Sequence, residues 1–355
     1  MSIARDLFTG DIRVSVKTAA NVLAMYPASA AALTKIVKNL QNAEGRRVKL
    51  SDEGVNVPPL VIISTTEVCN LSCNGCYACE QGRKVGEALD ATRVSEVLDE
   101  ASELGVNIVM LAGGEPLLSK HWLEAMSKHN ELLGLVFTNG TLLDESRLGW
   151  FAEHRHIIPV LSIEGNAAQT DARRGAGIHA KVNQAMEVLR SSGIPFGLSI
   201  TVTRQNINDV LTDDFSREYL EKGCRLFVYV EYVPVEPGTE QLLLPKADKK
   251  RLSDFAVQSE KKHAAIFVAF PGDEEPYGGC LAAGRGFVHI SASGALEPCP
   301  FAPFSDVNLK NTTLKDALNS ALLARVRENH HLLVEGEGGC ALWHNRELLT
   351  ELVQY

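Results

Sequence analysis

Between residues 60 and 232, short apolar runs alternate with longer stretches of helical periodicity, and this alternation admits few architectures. The runs at 60–64, 107–111, 134–137, 157–163, 196–202 and 225–232 read as buried strands. They are mostly continuous in Val, Ile, Leu and Phe, as strands covered on both faces must be. Helical patterns fill 91–104, 121–130, 144–154, 179–191 and 213–222. Strands alternating with helices in this way form a parallel sheet with both faces covered. Curled, such a sheet is a partial (β/α)6 TIM-like barrel, an α/β fold whose function is expected at the C-terminal ends of its strands. Pro58-Pro59 forces extended chain ahead of the first strand, while Pro159 leaves the start of the fourth undetermined.

The flanks have a different pattern. Residues 1–57 read as a helical N-terminal cap: Val14, Val16, Ala19, Val22, Leu23 and Met25 give an apolar face that Pro27 interrupts, and a second helical piece covers 29–42. The barrel core spans 58–240. In 241–355 we expect a small α+β domain with a helix at 246–263, a strand at 265–270, a hairpin of 287–290 and 294–297 leading to Cys299, and a helix at 314–328. Cys340 follows Gly336, Gly338 and Gly339. A formal charge of −9 with no long basic run argues against nucleic acid, because phosphate binding needs clustered positive charge. The densest basic stretch, between Lys246 and Arg251, reads as a solvated helix face. No stretch approaches the roughly 20 apolar residues of a membrane span, and Arg5, Asp6 and Asp11 interrupt any signal-peptide core. A cytoplasmic location is expected, where closely spaced cysteines favour metal ligation over disulfides.

Cys69, Cys73 and Cys76 follow the first strand at spacings that wrap one loop around three corners of a cubane iron-sulfur cluster. Such clusters usually take four cysteines, so a set of three leaves one iron open. A zinc knuckle with Cys79 as fourth ligand is the competing reading, but it leaves Gly113-Gly114-Glu115-Pro116, one strand later, without a role. Cys79 itself reads as a nearby free thiol.

The three cysteines and the glycine-glutamate stretch together resemble the radical S-adenosylmethionine (radical SAM) superfamily. That resemblance implies a [4Fe-4S] cluster on Cys69, Cys73 and Cys76, and S-adenosylmethionine chelated at the open iron. Gly113, Gly114 and Glu115 would then lie beside its methionine moiety. Ser162 and Arg174 are carried over as further cofactor contacts, the arginine meeting the methionine carboxylate, with Arg173 a rival and an Asp171–arginine surface pair the plain alternative. Tyr229 and Glu231 alternate onto one face of the last strand and are candidate substrate-facing catalytic residues.

Cys280 and Cys299, with Gly294 between them, resemble the opening of the auxiliary-cluster domain of SPASM and twitch members. The later cysteines of the full pattern are missing except Cys340, which implies a shortened domain with one auxiliary cluster on Cys280, Cys299 and Cys340. Its fourth site is open, substrate-bound or filled by His344 or Cys79, and Cys224 reads as a buried small residue. The resemblance implies reductive cleavage of S-adenosylmethionine to a 5′-deoxyadenosyl radical that takes hydrogen from a small-molecule, cofactor-pathway substrate or from a peptide. An electron donor such as flavodoxin or ferredoxin would be the redox partner. A non-catalytic iron-sulfur carrier or redox sensor is the alternative from another class.

Overall fold

The computed structural model describes residues 24–81, 88–270, 279–333 and 340–354. The N-terminal helical pattern before residue 24 and the glycines at 336, 338 and 339 lie outside them. Nine strands in these residues form one sheet: β1 Leu60–Ser64, β2 Ile108–Ala112, β3 Leu133–Thr138, β4 Ile157–Ile163, β5 Gly197–Val202, β6 Leu226–Glu231, β7 Ile266–Phe270, β8 Phe287–Ile290 and β9 Leu296–Glu297. The order is β7-β6-β5-β4-β3-β2-β1-β8-β9, parallel throughout except for the β8–β9 hairpin. The architecture is a curled α/β half-barrel.

The six expected strands are the consecutive β1 to β6. The C-terminal strands do not form a sheet of their own: β7 extends one edge of the barrel, and β8 and β9 extend the other beside β1. Curling brings these edges toward each other, since the Phe270 ring of β7 meets the Phe287 ring of β8 edge-on at 5.1 Å. Leu135, Val160 and Val228 form an apolar floor on the concave face, flanked by Met110, Phe137, Ile158 and Val230. The helices pack over the convex face and build the larger core.

Local chemistry explains the details. Pro159 is tolerated in β4 because β5 pairs with that strand only from Val160 onward, so the missing N–H falls where the ladder has not begun. The N-terminal helix runs on to Asp52, beyond the expected residue 42, and is pinned to its neighbour Ala91–Leu104 by Arg46, which donates to the Ser102 carbonyl at 3.2 Å. The expected helix 314–328 is two helices, Leu314–Leu318 and Ala321–Glu328: Asn319 ends the first, and the Ser320 hydroxyl caps the second by accepting from Leu323 N–H. Among the described residues no helix is long and apolar enough to cross a membrane.

Candidate active site

The cysteine loop leaves the C-terminal end of β1 and lies directly on the glycine pair that ends β2. Gly114 N–H donates to the Thr66 carbonyl at 2.7 Å and Glu115 N–H to the Val68 carbonyl at 2.9 Å. Nothing larger than glycine fits. A Cβ on Gly113 would stand 2.6 Å from the Thr66 oxygen at a φ of +111°, and one on Gly114 would stand 2.5 Å from the Val68 carbonyl carbon. Further along, Gly75 N–H donates to Glu236 Oε2 at 2.9 Å, and a Cβ there would meet the Tyr232 hydroxyl at 2.5 Å. Asn74 donates through its backbone to the Arg173 carbonyl and through its side chain to the Ala172 carbonyl. Asn70 is held between Asn139 and Thr141 after β3. The loop is therefore seated on the ends of four strands or their following turns.

Cys69, Cys73 and Cys76 are half-buried on this loop. Burial pushes the Cys69 and Cys73 thiols up, and each also feels the neighbouring Cys76, while Arg174 and Arg173 pull Cys73 back down. Exposed Cys79 is hydrogen-bonded to Cys76 and is pushed up to about 12 by burial of its sulfur and by that neighbour. Among the described residues no set of His, Cys, Asp or Glu closes around one point as the ligands of a single ion do. Thiols spread along a loop suit instead a multi-iron cluster, which is held by cysteine thiolates. The donor set fits such a group.

Glu115 does not turn toward the loop's open side. Its carboxylate, 1% exposed, accepts from the Thr138 hydroxyl at 2.7 Å, Asn139 N–H at 2.9 Å and Leu117 N–H at 3.1 Å. Burial raises its pKa against these hydrogen bonds. Glu115 thus ties the end of β3 to the turn after β2, and the backbone of Gly113-Gly114 is what the loop faces. Ser162 stands half-buried in register with Ser199 on β5. Arg174 donates through Nε to Glu164 Oε2 at 2.6 Å and through Nη2 to Oε1 at 2.7 Å. Arg173 reaches the same Oε1 at 2.7 Å and the Thr201 hydroxyl at 2.9 Å. In this structure the carboxylate that Arg174 meets is that of Glu164. Burial pushes Glu164 up, but Arg174 and Arg173 outweigh it and hold the carboxyl below its usual range. Asp171 accepts from Gly177 and His179 N–H groups, not from an arginine.

Tyr229 and Glu231 do share a face, but it is the convex one. Tyr229 is 0% exposed, stacks edge-on with Phe255 of the helix Lys246–Lys262, and has its hydroxyl 3.5 Å from the Val210 carbonyl. Glu231 pairs with Lys249 of that helix at 3.4 Å. Neither can touch a substrate in the barrel, and the catalytic assignment of both is corrected. Sequence reasoning missed Glu236, whose only signal was a Pro- and Gly-rich turn following a strand's C-terminal end.

The second cysteine set comes together from three distant positions. Cys280, Cys299 and Cys340 are 7%, 3% and 4% exposed, the Cys299 thiol is hydrogen-bonded to that of Cys340, and Cys280 adds its charge to the same place. Burial and these neighbours push Cys299 well up. Three buried sulfurs brought together from distant positions fit a cluster held by cysteine thiolates. His344 is exposed and Cys79 sits by Cys76, so neither joins the buried trio. Cys224 is fully buried in the core, as expected.

The sequence pattern of the Radical SAM superfamily matches residues 63–214, from the end of β1 past β5. The AdoMet-dependent heme synthase of Methanosarcina barkeri is 25% identical over 318 residues, covering 81% of this chain and 88% of that protein. The PqqA peptide cyclase of Gluconobacter oxydans is 28% identical over 281 residues, covering 74% and 77%. Among solved structures, Streptococcus suis SuiB bound to its precursor peptide SuiA superposes with a TM-score of 0.62 at 20% identity, covering 80% of this chain and 70% of that one, a likeness of fold. With its cysteine loop seated on a glycine pair inside the matched segment, the chain carries the radical SAM superfamily pattern over residues 63–214 and is similar to named synthases and cyclases along most of its length.

Proposed function

We propose that Cys69, Cys73 and Cys76 hold a [4Fe-4S] cluster with S-adenosylmethionine at its open iron, and that Cys280, Cys299 and Cys340 hold a second, auxiliary cluster. The observation that carries this reading is the glycine pair pressed against the cysteine loop, which seats the three cysteines on the end of β2. When bound, the pair supplies a 5′-deoxyadenosyl radical able to take hydrogen from an unactivated C–H bond. The chain's own residues do the rest. The Gly113 and Gly114 backbone admits close approach, Glu115 fixes the turn below it through Thr138 and Asn139, and the Arg173–Glu164–Arg174 group braces the far side of the loop. The floor of Leu135, Val160 and Val228 excludes water from the concave face, which a radical reaction requires.

For the substrate we favour a small molecule on a cofactor pathway. The supporting observation is the match to a heme synthase along 88% of that protein's length. A peptide is the second reading, favoured by the similarity to a PqqA peptide cyclase. A low-potential carrier of the flavodoxin or ferredoxin kind would supply the electron. We further propose three units, 1–57, 58–240 and 241–355, of which the second and third both contribute strands to the one sheet.

The test is iron and sulfide analysis with electron paramagnetic resonance on anaerobically reconstituted protein. About eight irons in the wild type, and about four after replacing either Cys69, Cys73 and Cys76 or Cys280, Cys299 and Cys340 by alanine, are expected. About four irons in the wild type, all lost with the first set, would overturn the auxiliary site. Equilibrium binding of candidate metabolites and short peptides decides the substrate class, and tight binding of a peptide with none of a metabolite would reverse our preference.

A further inference from the structure

The concave side of the sheet carries a buried polar chain that the site above does not use. Ser64 ends β1, His289 lies on β8 and Glu297 on β9; they are 0%, 0% and 4% exposed. His289 Nε2 is 2.8 Å from Ser64 Oγ, and its Nδ1 is 2.7 Å from Glu297 Oε2. The strand register enforces this meeting, since His289 lies beside Ile62 on one side and opposite Glu297 on the other. Three buried polar groups are costly unless bonded to one another. An apolar trio would pack the same space at no such cost, so stability alone does not account for them.

What the chain joins is informative. Ser64 is the last strand residue before the loop of Cys69, and its Cα would stand 3.1 Å from a Cβ on Gly113. Glu297 is the last strand residue before Cys299. A second contact spans the same gap: the Tyr77 ring, next to Cys76, meets the Phe301 ring edge-on at 4.9 Å, and Gln81 donates to the Pro300 carbonyl at 2.7 Å. Imidazole is rigid and presents its two nitrogens to different strands, so a displacement of one is passed to the other.

We propose that His289 is a positioning residue that locks the two three-cysteine sites into one unit, through Ser64 to the strand that launches Cys69 and through Glu297 to the strand that launches Cys299. This rests on the reading of both cysteine sets as cluster ligands. Coupling of this kind is reciprocal: occupancy of one site biases the other by the same factor.

The test uses the full chain reconstituted anaerobically with iron and sulfide. Two quantities are read: the affinity for S-adenosylmethionine, from its effect on the reduced paramagnetic signal, and the midpoint potential of the auxiliary signal. Glu297→Ala, at the end remote from the glycine pair, should weaken S-adenosylmethionine binding about tenfold, the equivalent of one buried hydrogen bond. Ser64→Ala, at the end remote from Cys299, should shift the auxiliary potential. The double variant should go no further than either single one, and Glu297→Gln, which keeps an acceptor oxygen for Nδ1, should restore both values. Effects confined to the nearer site and additive in the double variant would overturn the proposal, as would failure of the glutamine to rescue. Should Glu297→Ala not fold, Ser64→Ala decides, since it removes only a hydroxyl. Iron content separates the two levels: about eight irons in the wild type upholds the two-cluster reading on which the lock rests, and about four overturns that reading itself.

Discussion

Replacing Gly114 by alanine should detach the cysteine loop. The new methyl would sit 2.5 Å from the Val68 carbonyl carbon and 3.0 Å from that of Glu67, so the obstacle is main chain and no side chain can swing aside. Relief requires the loop to lift, which breaks Gly114 N–H to Thr66 at 2.7 Å and Glu115 N–H to Val68 at 2.9 Å. Overpacking costs about 1 to 3 kcal/mol and each lost hydrogen bond about 0.5 to 1.5 kcal/mol, so the collision is worth about 2 to 6 kcal/mol. Alanine also stiffens the unfolded chain, a contribution of about 0.4 to 1 kcal/mol in the other direction. Gly149 isolates that contribution: it lies in the helix Glu145–Glu153 with nothing within 4 Å of a new Cβ, and Gly149→Ala should stabilise. The assay is urea unfolding of the metal-free chain followed by circular dichroism, with iron retention measured in parallel. If Gly114→Ala unfolds within about 0.5 kcal/mol of Gly149→Ala, the glycine pair is not the seat of the loop and the argument for the site fails.

Arg174→Met should destabilise by about 3 to 5 kcal/mol, because it strips two hydrogen bonds from a buried carboxylate. The acid limb of stability tests the same group. Glu164 has a depressed pKa, so its contribution is complete above the ordinary value of 4.5 and is lost as pH falls below it, and in Arg174→Met this acid-dependent loss should shrink. Glu115→Gln should cost about 1 to 3 kcal/mol in thermal or urea melts, since the amide must set an N–H₂ against one of the donors Thr138, Asn139 or Leu117. Tyr229→Phe should leave S-adenosylmethionine affinity and turnover unchanged, and a loss of either would return that ring to the barrel interior.

Much of this was legible in the chain itself, for identifiable reasons. Val61-Ile62-Ile63 and its counterparts mark strands because a parallel strand is buried on both sides. The same property hid the direction of Tyr229 and Glu231: alternation places them on one face but says nothing about which, when both faces are apolar. Three cysteines on one loop announce themselves by spacing, whereas Ser64, His289 and Glu297 are brought together only by strands far apart in sequence. Arg174 was recognised as a carboxylate partner, but Glu164, 10 positions earlier and directly after β4, offers the same chemistry, and its contact with Arg174 is visible only in the geometry. The break at Asn319-Ser320 was readable in principle, since serine before an apolar turn is an N-cap signal.

The seating of β8 against β1 has a consequence for how the molecule comes into being. Ser64 and His289 are 225 positions apart, so the strand that carries the cysteine loop keeps one side unpaired until most of the polypeptide has left the ribosome. Contacts this remote are formed late, after the cost of closing the intervening chain has been met. A nascent chain released before Phe287 would present β1 as an open strand edge, a template for pairing with other chains. Maturation of the iron site is therefore bound to late translation, and cluster-loading factors would meet a finished sheet only after Glu297 has been made.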